Sequence, residues 1–236
     1  MAIINYSRML AGKSAVVTCG DSAIGIAIVK LFAEHGATVA IGAKDARVAS
    51  KLIPSISGIS PDSFYWHCDL ADADSVEAFC AEVNRHFPLV NVLVNNPRAE
   101  YIKAFDDAGE EDDEMMLQIY QRSIMQTLRA FWPAMLKNGG CSVVNISSAS
   151  VFKAAQGSLM HTMANGAVGG MTRVPAVEGG YREVRVNEIL AAYGANDGAD
   201  IAGVANAALF LASDMASYVS GVSLSVSGGL QRMRYA

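Results

Sequence analysis

Residues 15–25, AVVTCGDSAIG, decide how the rest of the chain is read. A β-branched run closing at Thr18 enters a turn through Cys19 and Gly20. From Ser22 the apolar spacing becomes helical, with Ile24, Ala27, Ile28, Leu31 and Phe32 on one stripe as far as His35. Gly36 stands where a helix ends in a left-handed cap, and a second β-branched run follows at Thr38–Ile41. Strand, glycine-bearing turn, helix and strand make a βαβ unit, whose strands are parallel.

The pattern repeats outward from this unit. Further strands are predicted near Phe64–Cys68, Val90–Val94, Ser142–Ile146, Val184–Ile189 and Val222–Val226. Helices are predicted at Ser22–His35, Ser75–His86, Glu114–Leu136, Ser158–Glu178 and Ile201–Ser213, the second burying Val76, Phe79, Cys80 and Val83 with Asp72 or Asp74 free to cap it. Lys51–Ser63, with Pro54, Gly58 and Pro61, reads as a loop. Strands alternating with helices give an α/β chain with a parallel sheet covered on both faces, and 236 residues suit one domain.

Composition narrows the function classes. Hydrophobic residues at 52% and charged ones at 17% supply a core and exclude disorder, while a net charge of −5 and pI near 5.3 argue against nucleic acid or a polybasic membrane contact. Cys19, Cys68, Cys80 and Cys141 form no C-x-x-C pair, and His35, His67, His86 and His161 add no ligand spacing, so no metal site is expected. With no leader and no run of eighteen apolar residues, a cytoplasmic protein with reduced thiols is expected.

Asp106–Glu114 holds seven acids in nine positions, leaving +2 on the remainder. It reads as a solvated loop plus the acidic first turn of a helix, or as a docking surface for a basic patch. The helix after it, Glu114–Leu136, carries more apolar surface than one face needs, which points to burial against another subunit.

Order and spacing carry a resemblance. The turn at 18–25 looks like T-G-x-x-x-G-x-G, and it is followed by Asp69 after strand three, Asn95-Asn96 after strand four, Asn145-Ile146-Ser147-Ser148 after strand five, Arg185-Val186-Asn187 in strand six and Gly228-Gly229 after strand seven. The whole chain thereby resembles the short-chain dehydrogenase/reductase family. That implies a Rossmann-like, doubly wound, parallel seven-stranded sheet in a single domain, and NAD(P) chemistry.

The resemblance fails where the family does its chemistry. Two of the three matched turn glycines are Cys19 and Ala23, so an added Cβ crowds the pyrophosphate path. No cofactor is therefore expected in this chain; if binding is retained, its residues are Thr18, Gly20, Gly25, Lys44, Asp69 and Asn95, with Lys44 favouring a 2′-phosphate. The family's N-N-A-G reads Asn95-Asn96-Pro97-Arg98. Tyr120 stands at the family's proton-relay Asn, Ser148 at its Ser, His161 at its Tyr and Asn165 at its Lys, so these positions are degenerate and no catalytic set is expected. Ala191-Ala192 replaces a Pro-Gly, and the substrate lid is shortened to about 194–200.

The resemblance implies a non-catalytic subunit that completes an active homologue, a 3-hydroxyacyl-CoA type of dehydrogenase carrying NAD(P). The pair would form a heterotetramer through the helices around 114–136 and 158–178, where Ala164, Gly166, Ala167, Gly169 and Gly170 allow close approach. Two alternatives remain: a diverged reductase, lyase or isomerase using Ser148 and His161 as an acid/base pair, and a small-ligand sensor.

Overall fold

The computed structural model describes residues 6–99, 101–152, 155–192 and 200–229. Seven strands, β1 Ser14–Val17, β2 Thr38–Ala43, β3 Phe64–His67, β4 Val92–Asn95, β5 Ser142–Ser148, β6 Arg185–Ala191 and β7 Ser223–Val226, form one sheet in the order β3-β2-β1-β4-β5-β6-β7. Every adjacent pair is parallel, with Ser14 opposite Thr38, Ala15 opposite Val92 and Asn145 opposite Glu188. The sequence-based expectation of a Rossmann-like doubly wound sheet holds.

Parallel strands joined by helices are covered on both sides. On one face α1 Ala23–Glu34, α2 Ala46–Ile56 and α7 Ile201–Ala212 bury Ile28, Phe32, Leu52 and Leu209 against Val17, Ile41, Val144 and Ile189. On the other, α3 Ala73–His86, α4 Glu110–Leu117, α5 Ser123–Asn138 and α6 Leu159–Gly180 bury Phe79, Met116, Phe131 and Val168 against Val16, Leu93, Val143 and Val186. Strand order reverses between β1 and β4, and sheets of this kind place their binding crevice at that reversal, beyond the strands' carboxyl ends.

Two predictions need correction. Residues 51–56 are helical and not loop, because Ala49, Leu52 and Ile56 form a buried stripe and Asp45 caps the helix through the Arg47 N–H at 2.8 Å. Pro54 falls in the last turn, where the one hydrogen bond it forfeits counts less than that burial. The helix predicted from Glu114 begins at Glu110, since Asp112 accepts the Gly109 N–H at 3.0 Å and four acids sit in the first turn, where the helix dipole favours them. Between α4 and α5 the chain keeps helical direction through a wide π turn, Gln118–Arg122. Gly36 takes φ +89°, as its capping role requires.

Ala191, expected after the strand, is the last residue of β6 and Ala192 follows it, whereas the shortened lid at 194–200, apart from Asp200, lies outside the described residues. Among the described residues no helix is long and apolar enough to cross a membrane, and no metal-ligating cluster occurs.

Candidate functional site: a crevice filled by its own side chains

The turn after β1 is built to close on itself. Thr18, buried, accepts the Asn96 N–H on Oγ1 at 2.9 Å, which ties the ends of β1 and β4 together. Cys19 occupies φ +44°, a left-handed conformation unusual for a side-chain-bearing residue. Burial, with the Asp21 carboxylate adding to it, pushes its thiol up to about 12, so it is no thiolate. Gly20 donates its N–H to the Gly42 carbonyl at 2.9 Å, and a Cβ there would lie 2.4 Å from Ile41 Cγ2. Gly25 is held more tightly, because a Cβ would lie 2.2 Å from the Cys19 carbonyl oxygen.

The N-terminus of α1, where dinucleotide-binding folds receive phosphate, has partners within the chain. Ser22 Oγ accepts the Gly25 N–H at 3.0 Å, and Asn96 Nδ2 donates to Ser22 Oγ at 3.0 Å and to the Cys19 carbonyl at 3.3 Å. Beyond β2, Asp21 Oδ2 accepts the Lys44 and Asp45 N–H groups at 3.1 and 2.8 Å. Lys44 Nζ lies 2.6 Å from Asp69 Oδ2. Burial works to raise the Asp69 carboxyl, yet the Lys44 hydrogen bond, the Ala71 N–H and the Lys44 charge together outweigh it and hold Asp69 below its usual range. The same bond raises Lys44.

Asn95 faces away from the crevice. Its Oδ1 accepts from Thr127 Oγ1 at 2.7 Å and its Nδ2 donates to Asn145 Oδ1 at 2.9 Å; Asn145 Nδ2 then donates to Thr172 Oγ1 at 3.0 Å. All four side chains are buried. This chain of amides and hydroxyls runs from α5 through β4 and β5 to α6 and belongs to the fold.

Of the degenerate quartet, Tyr120, His161 and Asn165 come together. Ser148 ends β5, buried, with Oγ accepting the Ser150 N–H at 3.1 Å. Tyr120, aimed inward by the π turn, is 2% exposed and accepts the Ala99 N–H on its hydroxyl at 3.1 Å. Its ring meets that of His161 edge-on, centroids 6.1 Å apart. Asn165, 1% exposed, turns back along its own helix: Nδ2 donates to the His161 carbonyl at 2.8 Å and lies 3.4 Å from His161 Nε2, while Oδ1 takes no hydrogen bond. Burial lowers the His161 pKa and raises that of Tyr120, so both are neutral near pH 7. The described hydrogen bonds do not join Ser148 to His161.

Sequence reasoning missed several buried polar groups. Asn96, buried, reads from the sequence only as half of a doublet, and the half-buried Asp21 only as a turn residue. Glu188, 3% exposed in β6, takes no ion pair among the described residues and is held by the hydroxyls of Ser147, at 2.6 Å, and Ser223. A glutamate with Val186 and Leu190 two residues to either side in a predicted strand is the available signal.

Comparison with known proteins agrees with the fold. The sequence pattern of the family described as short chain dehydrogenase matches residues 13–199. A 2,5-dichloro-2,5-cyclohexadiene-1,4-diol dehydrogenase of Sphingobium indicum is 31% identical over 244 residues, covering 94% of this chain and 98% of its own. A 3-oxoacyl-(acyl-carrier-protein) reductase of Staphylococcus aureus is 27% identical, covering 92% and 98%. The solved short-chain dehydrogenase/reductase from Serratia marcescens superposes with a TM-score of 0.86 at 25% identity, covering 94% and 99%. These relatives bear the names of active oxidoreductases.

Proposed function

The chain belongs to the short chain dehydrogenase family, and we propose that within it this protein is a non-catalytic subunit completing an active homologue in a hetero-oligomer. The observation that carries the reading is a stripe on α6. Leu159, Met163, Gly166, Gly170, Val174, Val177 and Tyr181 recur every three or four residues along and just past that helix, and all are exposed. Such spacing is the seam of a helix bundle. A Cβ at Gly166 or Gly170 would meet nothing within 4 Å, so nothing inside this chain asks for glycine there. Each glycine costs a helix about 1 kcal/mol relative to alanine, a cost that close approach of a second helix would repay.

The crevice supports the non-catalytic half of the reading. The residues at the turn do not fit a dinucleotide in the family's manner, because Cys19 adds a side chain, Ser22 and Asn96 occupy the helix N-terminus, and Lys44 is engaged by Asp69. Asn165 brings no cation, and Tyr120 fills the space beside it. NAD(P) then belongs to the partner. The chain resembles the degenerate subunit of 2-(α-hydroxybenzyl)succinyl-CoA dehydrogenase of anaerobic toluene degradation, which makes a 3-hydroxyacyl-CoA the substrate class of that partner.

Co-expression with an intact homologue from the same genome tests this. The expected result is a stable complex of the two chains in which nicotinamide turnover survives Cys19→Trp in this subunit. Micromolar dinucleotide binding or turnover by this chain alone overturns the reading.

A further inference from the structure

The acidic run at 106–114 remains unexplained by the crevice and by the α6 seam, and its counterpart lies on the opposite face of the sheet. An open groove of about 440 Å³ separates α1 from α2, with Ile26, Val48 and Leu52 as its apolar floor and Lys30, Arg47 and Lys51 on its walls. Asp45, the one carboxylate in the lining, is already bound to Arg47 at 2.9 Å. Lys30 and Lys51 take no ion pair among the described residues. The groove therefore offers apolar surface between uncommitted cations on a chain of net charge −5.

The run has the complementary build. Phe105 is 77% exposed, an unusual setting for a phenyl ring on a described loop. Asp106 follows it directly, and Glu110 and Glu111 begin α4; none of these three carboxylates takes an ion pair or side-chain hydrogen bond among the described residues. Asp112 and Glu114, by contrast, are paired with Lys103 and Arg122, each at 2.7 Å.

We propose that this groove receives the Phe105–Glu111 segment of a second copy of the chain, the phenyl ring on the apolar floor and the free carboxylates against Lys30 and Lys51. Apolar anchor meets apolar floor, and charge meets opposite charge around it, which is how interfaces combine affinity with selection of partner. The contact lies away from the α6 stripe and does not depend on the heteromeric reading.

The test is sedimentation equilibrium of the full chain carrying Val174→Asp, which removes the α6 seam and leaves only this contact. The expected result is self-association that weakens at high salt, where charge attraction is screened. It should weaken about tenfold or more in Lys30→Glu/Lys51→Glu and equally in Glu110→Lys/Glu111→Lys. Mixing the two reversed variants should restore association, because the acidic groove of one then fits the basic segment of the other. Phe105→Ser should weaken it without changing its salt dependence. A monomer at low salt, an association indifferent to both reversals, or reversed variants that fail to rescue each other overturns the proposal.

Discussion

Tyr120 and Asn165 set the expectation for restoring the family's residues at two positions of the crevice. His161→Tyr with Asn165→Lys returns a proton donor and a cation. A placed acid contributes about 10²–10⁴-fold, with the rest coming from orientation and exclusion of water. The double variant is expected to give no nicotinamide absorbance change with 3-hydroxyacyl or secondary-alcohol substrates, since Tyr120 and Cys19 remain. Clear turnover would identify a silenced enzyme in place of a structural subunit. His161 makes a second expectation. Its folded pKa is depressed by burial, so its unfolded form binds the proton more readily. The stability it contributes is complete above the unfolded value near 6.5 and falls away as pH drops through the lower folded value. Urea midpoints of the wild type and His161→Phe should diverge below that pH; parallel curves would contradict the assignment. At residue 19, Cys19→Gly should raise the unfolding free energy by about 1 kcal/mol by relieving the positive φ, measured in the same titration. The identities of the quartet were legible in the sequence from motif spacing. Asn165 folding back onto the His161 carbonyl was not, because a hydrogen bond within one helix leaves no trace in residue order.

Among the elements, the amide chain from Thr127 to Thr172 joins two helices through two strands without an ion. Asn145→Leu should leave the Asn95 amide N–H without its acceptor and the Thr172 hydroxyl without its donor, although Thr127 still bonds Asn95 and Thr172 still donates to the Val168 carbonyl. The expected cost is roughly 1–3 kcal/mol, read as a lower urea midpoint with far-ultraviolet ellipticity retained. A loss below 1 kcal/mol would mean that the chain is not doing the joining. Periodicity made the strands and most helices legible to within a few residues. It fails at α2, where Pro54, Gly58 and Pro61 mask the stripe Ala49, Leu52 and Ile56, and it sets the start of α4 at Glu114, although the first turn expected among the acids begins at Glu110. In both places a burial or a capping contact, invisible to composition, decided the outcome.

The molecule as a whole has two classes of apolar residue that sequence could not separate. Phe131 looked like a seam residue from its helix, yet it is 1% exposed and belongs to the internal core, whereas Val174 and Val177 stand in solvent. Val174→Asp should leave the fold intact and separate the subunits, while Phe131→Asp should abolish folding itself. Size-exclusion of the co-expressed pair distinguishes the outcomes, and dissociation without unfolding by Phe131→Asp would reverse this division. The strand order also sets a timetable for synthesis. Because β1 takes its second neighbour from β4, and Thr18 receives the Asn96 N–H from 78 residues away, the chain ahead of β4 leaves the ribosome with its central ladder unpaired. The apolar stripe of α6 emerges only after that ladder has closed, so the surface most prone to stray association is exposed for the shortest time before a partner is met.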